Sequence, residues 1–148
     1  MSGDNVNIIY KDEKIIDINN IRKLFSCVDW FTPSDENLTQ KALANSSDVF
    51  TAWDNEKLVG LVQVIADGGI SVHVHYLLVL TEYRNKGIGT HLMNMVIEKY
   101  KDYVRLYIES RPEKVEYYNR EFGFESVTSL KLMKKDLKGK HYLLNRKK

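Results

Sequence analysis

Apolar positions along this chain recur with two periods, and the switches between them mark out its elements. Ile21, Leu24, Phe25 and Val28 fall at i, i+3, i+4 and i+7, which predicts a helix over about Asp17 to Val28. Ile88, Leu92, Met95, Val96 and Tyr100 form a second helical stripe that begins near Gly87. Runs of β-branched and aromatic residues predict strands at Val6 to Tyr10, Asp48 to Trp53, Leu58 to Ala66, about Ser71 to Leu80, and Val104 to Ile108. Two more are predicted at Val127 to Met133 and about His141 to Leu144.

Punctuation residues set the boundaries. Pro33-Ser34 opens a second helix with Ser34 as N-cap. Asp54-Asn55 turns one strand into the next, and Asp67-Gly68-Gly69 is a hairpin signal because it supplies residues tolerant of positive φ. Ser110-Arg111-Pro112-Glu113 reads as a capping box, and Gly123 as the residue that ends the helix it starts. The resulting order is βααβββαβαββ. Antiparallel hairpins followed by a β-loop-α-β crossover predict an α/β fold with a central mixed sheet and helices on both faces.

At 148 residues and 43% hydrophobic content, the sequence fits one domain, residues 1–148, with a sizeable core. It has no low-complexity segment, internal repeat or linker-like stretch. A net charge of +2 is too small to argue for nucleic acid. Lys131, Lys134, Lys135, Lys138, Lys140, Arg146, Lys147 and Lys148 crowd the C-terminal end, as a solvated hairpin or, less simply, an anion-binding patch. No apolar run is long enough for a membrane span, and Met1 to Asn7 shows no secretory pattern. The single cysteine, Cys27, cannot form an intramolecular disulfide and lies on the apolar face of a predicted helix, as a buried thiol rather than a nucleophile. A cytoplasmic location is the expectation. His91 and His141 have no partners at metal-ligand spacing, so no metal is expected.

The most telling stretch is Arg84-Asn85-Lys86-Gly87-Ile88-Gly89-Thr90, between a strand and a helix. A helix N-terminus carries unpaired N–H donors and a partial positive charge, and glycines let backbone approach an anion without an intervening Cβ. The stretch reads as a phosphate or pyrophosphate cradle. The dinucleotide fingerprint fails because Leu92 stands where its third glycine belongs. The P-loop fails because Lys86 precedes Gly87 and no lysine follows Gly89.

The arrangement at Arg84, Gly87 and Gly89 resembles the R/Q-x-x-G-x-G/A loop of the GNAT acyl-CoA-dependent N-acetyltransferases, and the element order matches that fold over nearly the whole chain. The resemblance implies acetyl-CoA as cosubstrate. It implies that the backbones of Leu78, Val79 and Leu80 pair with the pantetheine arm, and that Arg84, Asn85, Lys86, Gly87, Ile88, Gly89 and Thr90 surround the pyrophosphate. Val115-Glu116-Tyr117-Tyr118 ahead of Phe122-Gly123-Phe124 is similar to the family's second signature, whose tyrosine faces the cofactor sulfur. Counting forward from the helix start puts Tyr118 there as general acid; counting back from Gly123 puts Asn119 there.

Acyl transfer to an amine also needs a proton acceptor, because primary amines are charged at neutral pH. His73 and His75 alternate on one strand and so project from one face, and histidine takes up a proton near neutral pH. His73-Val74-His75 resembles the paired histidines of arylalkylamine N-acetyltransferases; Glu82 and Glu109 are fallback bases. Trp30 and Phe31, between the first two helices, either wall an acceptor pocket or anchor that connection to the core. No cysteine lies in the signatures, so the expected route is direct attack in a ternary complex on behalf of a small-molecule primary amine. The alternatives are a non-catalytic acyl-CoA sensor and a protein or peptide acetyltransferase. The resemblance also leaves a homodimer open, with Lys134 to Leu144 taking part.

Overall fold

The computed structural model describes residues 6–27 and 35–137. Five strands lie in the order β1-β2-β3-β4-β5: β1 (Ile8–Asp12), β2 (Asp48–Asp54), β3 (Lys57–Ala66), β4 (Ser71–Val79) and β5 (Arg105–Ile108). The first four pair antiparallel, and β4 pairs parallel to β5, as the α/β mixed-sheet expectation requires. Four helices accompany them: α1 (Ile18–Phe25), α2 (Glu36–Ala44), α3 (Ile88–Lys99) and α4 (Val115–Phe122).

Strand β3 is buried along most of its length because it sits at the centre of the sheet and is covered on both sides. Alternation along β2 and β3 sends Phe50 and Gly60 toward α3, whose Ile88, Leu92, Met93 and Val96 are buried. The opposite face carries Tyr76 of β4, which meets Phe25 of α1 edge-on at 5.3 Å between ring centroids. Gly60 is needed at this crossing. A Cβ there would stand 3.0 Å from Ile88 Cγ2, 3.2 Å from Leu92 Cδ1 and 3.4 Å from Ala52 Cβ.

A polar network closes the far end of α3. The buried Asp48 carboxylate accepts from Lys99 Nζ at 2.6 Å and from the Tyr100 hydroxyl. With both oxygens engaged, a buried carboxylate carries its charge without an orphaned acceptor. Burial, followed by this bond to Asp48, pushes the Tyr100 phenol well up from its ordinary value, so it stays a donor.

Several boundaries differ from the sequence-based expectation. The N-cap of α2 is Asp35, which accepts from the N–H groups of Asn37 and Leu38; the expected cap, Ser34, lies outside the described residues. Ser110 does not cap α4. Its hydroxyl donates to the Arg111 carbonyl, and a 3₁₀ turn, Pro112–Lys114, precedes the helix because the Pro112 ring favours a tight first turn. Residues Val127 to Met133 form no strand. Val127, Leu130, Leu132 and Met133 are 52, 70, 75 and 87% exposed, a turn at Thr128–Ser129 interrupts the run, and among the described residues no strand pairs with it. The described order is therefore βααβββαβα rather than βααβββαβαββ; His141 to Leu144 lies outside the described residues.

The crossing of α3 over β3 gives a direct stability test. Gly60→Val forces Ile88 and Leu92 off their positions and is expected to lower the unfolding free energy by about 1–3 kcal/mol, the usual cost of overpacking. Urea denaturation midpoints report it, and Gly60→Ala should fall between the variant and the native protein.

Candidate active site

β4 and β5 run side by side only briefly. Their pairing covers Ser71↔Arg105, Val72↔Leu106, His73↔Tyr107 and Val74↔Ile108, and ends there. At that same place β4 bulges: Val64 faces Val74 and Gln63 faces Tyr76, so His75 is the extra residue. A bulge bends and re-aims its strand. Beyond it, Tyr76 to Val79 have β3 on one side and no strand on the other.

The backbone groups on that open side can be identified. Leu80 N–H donates to Val59 at 2.9 Å, and an antiparallel ladder alternates, so Leu78 also turns its groups toward β3. The Leu80 carbonyl is taken as well, by Tyr83 N–H at 2.9 Å. Leu77 and Val79 face the opening. Of the three residues named from sequence, then, Val79 turns its backbone outward; Leu77, which alternation would have found, joins it. The Val79 carbonyl accepts from Arg84 Nε at 3.2 Å, and the Cys27 thiol lies 3.9 Å away. Burial pushes the Cys27 thiol up, with the neighbouring Arg84 charge pulling the other way.

The strand ends in a 3₁₀ turn, Thr81–Tyr83, and then the glycine-bearing loop. Asn85 and Gly87 adopt left-handed φ of 63° and 83°, which reverse the chain tightly into α3. Gly87 is the N-cap and brings no side-chain cap. The first helical bond runs from His91 N–H to the Gly87 carbonyl, so the N–H groups of Ile88, Gly89 and Thr90 have no acceptor within the helix. Space over Gly87 is open: a Cβ there would meet nothing within 4 Å. Arg84, Asn85 and Lys86 are exposed around it. This donor set fits a diphosphate.

Two contacts that sequence reasoning missed hold the loop. The Tyr83 hydroxyl donates to Asp54 in the β2–β3 turn, and Lys57 of that turn lies 5.3 Å over the Tyr83 ring and 3.9 Å from Glu82. Asp54 pushes the Tyr83 phenol up to about 12, chiefly through this hydrogen bond. On the other side, Thr90 Oγ1 and the Tyr117 hydroxyl are 3.1 Å apart. Neither pairing has a local sequence signal, since 29 and 27 residues separate the partners.

The candidate acid Tyr118 lies on α4, and the candidate bases His73 and His75 lie on β4 just before and at the bulge. Tyr118 is half-buried against the core and lies edge-on to Tyr117 at 5.2 Å and Phe124 at 6.1 Å. Burial pushes its phenol above the ordinary 10.0, with Tyr117 adding to the effect. Asn119 is exposed, and its amide donates to the Phe124 carbonyl at 2.8 Å, which closes the end of α4. His73 and His75 are exposed, with ring centroids 6.3 Å apart; His73 also lies 4.8 Å from Tyr107. Glu109, at the end of β5, is close enough for its charge to reinforce the burial that raises the Tyr76 phenol. Glu82 is engaged with Lys57. Trp30 and Phe31 lie outside the described residues. Among the described residues no group of three His, Cys, Asp or Glu side chains has metal-holding geometry, and no helix is long and apolar enough to cross a membrane.

The family model for the acetyltransferase (GNAT) domain matches residues 10–139. The chain belongs to the GNAT acetyltransferases. A GNAT-family acetyltransferase from Streptococcus pneumoniae is similar at 26% identity, with a TM-score of 0.75 over 88% of this chain and 99% of that one. A protein from methicillin-resistant Staphylococcus aureus shares the fold at 20% identity and a TM-score of 0.77, over 88% of this chain and 99% of its own. An aminoglycoside acetyltransferase from an uncultured soil sample, solved with sisomicin, shares it at 18% identity and 0.65, over 89% and 99%. No curated protein matches the sequence. GNAT membership makes this chain an acetyltransferase and implies an acetyl-CoA-type cosubstrate.

In this GNAT chain the Tyr83–Asp54 bond is a stability element with a definite pH signature. A phenol raised to about 12 in the fold stabilises it fully below the unfolded value near 10.0, and that contribution is lost as pH climbs through about 12. Tyr83→Phe is expected to cost about 0.5–1 kcal/mol at pH 7, below the usual range for a hydrogen bond to a charged group because the site is half-exposed. The gap between variant and native protein should narrow above pH 10 and close as urea titrations approach pH 12.

Proposed function

We propose that this acetyltransferase moves acetyl from acetyl-CoA to a primary amine of a small molecule, by direct attack within a ternary complex. One observation carries the reading. The parting of β4 from β5 leaves the Leu77 and Val79 backbone open, and the opening leads to the unpaired amides of Ile88, Gly89 and Thr90. An extended pantetheine arm fits the first as an added strand, and a diphosphate fits the second.

In this reading the amine nitrogen attacks the thioester carbonyl carbon, the C–S bond breaks, and amide and free CoA thiol result. Outward backbone N–H groups of β4 beyond the bulge polarise the carbonyl. The Tyr118 hydroxyl gives its proton to the departing sulfur; its raised phenol favours the protonated form needed for that role. His73 and His75 take the amine's proton toward solvent, and the 6.3 Å between their rings leaves room for a bridging water. Their likeness to the histidine pair of arylalkylamine N-acetyltransferases, together with Tyr107 beside His73, favours an amine carrying an aromatic group.

A screen for thiol release from acetyl-CoA across arylalkylamines, polyamines, amino sugars and peptides tests the acceptor class. Turnover confined to peptides would overturn the small-molecule reading. With the best acceptor, Tyr118→Phe is expected to lower kcat about 10²-fold, with KM for acetyl-CoA changed less than about threefold. Because burial holds this phenol above 10.0, any alkaline fall in kcat that the substitution removes should lie above that pH.

A further inference from the structure

We propose that Tyr117 is a positioning residue for the diphosphate of the acyl donor, acting through the Thr90 hydroxyl. The inference rests on the loop reading above and adds a residue that the family's acid position does not cover.

Thr90 is the third residue of α3, in the turn whose amides lack acceptors. Its Oγ1 stands 3.1 Å from the Tyr117 hydroxyl, and among the described residues no other hydrogen bond joins α3 to α4. Each hydroxyl has one proton and two lone pairs, so only one of the two donates. An anion over the first turn decides which. Thr90 then gives its proton to the anion and accepts from Tyr117. Without the tyrosine hydroxyl, the threonine is free to turn its Oγ1 onto the carbonyl one turn back, a common threonine bond within helices. That rotation points the donor away from the anion.

The same contact reaches the chemistry. Tyr117 lies edge-on to Tyr118 at 5.2 Å and to Phe122 at 5.9 Å, so α4 is held by an aromatic cluster whose polar end is tied to the loop. Filling the cradle therefore fixes the helix that carries the candidate acid.

Two donors separate positioning from a purely structural role: acetyl-CoA, and acetyl-pantetheine, which lacks the diphosphate. Tyr117→Phe is expected to raise KM for acetyl-CoA and the calorimetric Kd of CoA about three- to tenfold, as loss of one hydrogen bond would. Its kcat/KM with acetyl-pantetheine should stay within about twofold of native. Thr90→Val should reproduce the effect, Thr90→Ser should retain most of the affinity, and the double variant should be no worse than either single one. Equal losses with both donors, or additive losses in the double variant, would overturn the proposal. If native protein binds CoA no better than pantetheine, the loop reading itself fails, and the role of Tyr117 falls with it.

Discussion

The early separation of β4 from β5 is the constraint on which the rest of the site depends. A parallel pair that stops after Val74↔Ile108 leaves main-chain donors and acceptors without a ladder on one side of β4. Unpaired backbone groups are costly wherever water is excluded, so the opening must stay wet or be filled by something extended and polar. The bulge at His75 fixes where the separation begins. His75 is the bulged residue, whereas His73 stands within the β4–β5 ladder opposite Tyr107, and both imidazoles are exposed.

Keeping such a gap requires rigidity around it. The centre of the sheet supplies most of this, through β3 and the close approach of α3 at Gly60. Asp48 ties the far end of α3 to β2, so the helix is held at the end opposite its anion-facing turn. The near end is held from two sides, by Tyr83 on Asp54 and by Tyr117 on Thr90. The loop turns through left-handed Asn85 and Gly87, and these two tyrosine bonds restrain its flanks.

Much of this was legible in the sequence, and the unread part has a physical pattern. Periodicity found α1, α3 and β1 to β5 because each buries a face, and the glycine loop was legible because its chemistry is local. Met93 escaped the α3 stripe although it is fully buried, because the helix packs a wider arc than one row. Ser110 failed as a cap because Pro112 imposed a 3₁₀ turn first. Val127 to Met133 has strand composition but no strand, since pairing is a property of neighbours and not of a segment alone. The tyrosine braces were invisible for the same reason: each is a contact between distant parts of the chain.

Arg84 shows how the two halves of the site are linked. Its guanidinium was expected at the diphosphate, yet its Nε donates to the Val79 carbonyl, one of the groups that face the opening. A strand-like ligand paired with Val79 competes for that carbonyl. Displaced, the guanidinium keeps its charge and remains on the loop, five residues from Val79, beside the turn where a diphosphate would bring negative charge. In the proposed reading, filling the gap along β4 and neutralising the anion at α3 would be coupled through one side chain. Such an exchange would cost little, because a guanidinium–carbonyl bond at an exposed site would give way to an ion pair between guanidinium and diphosphate.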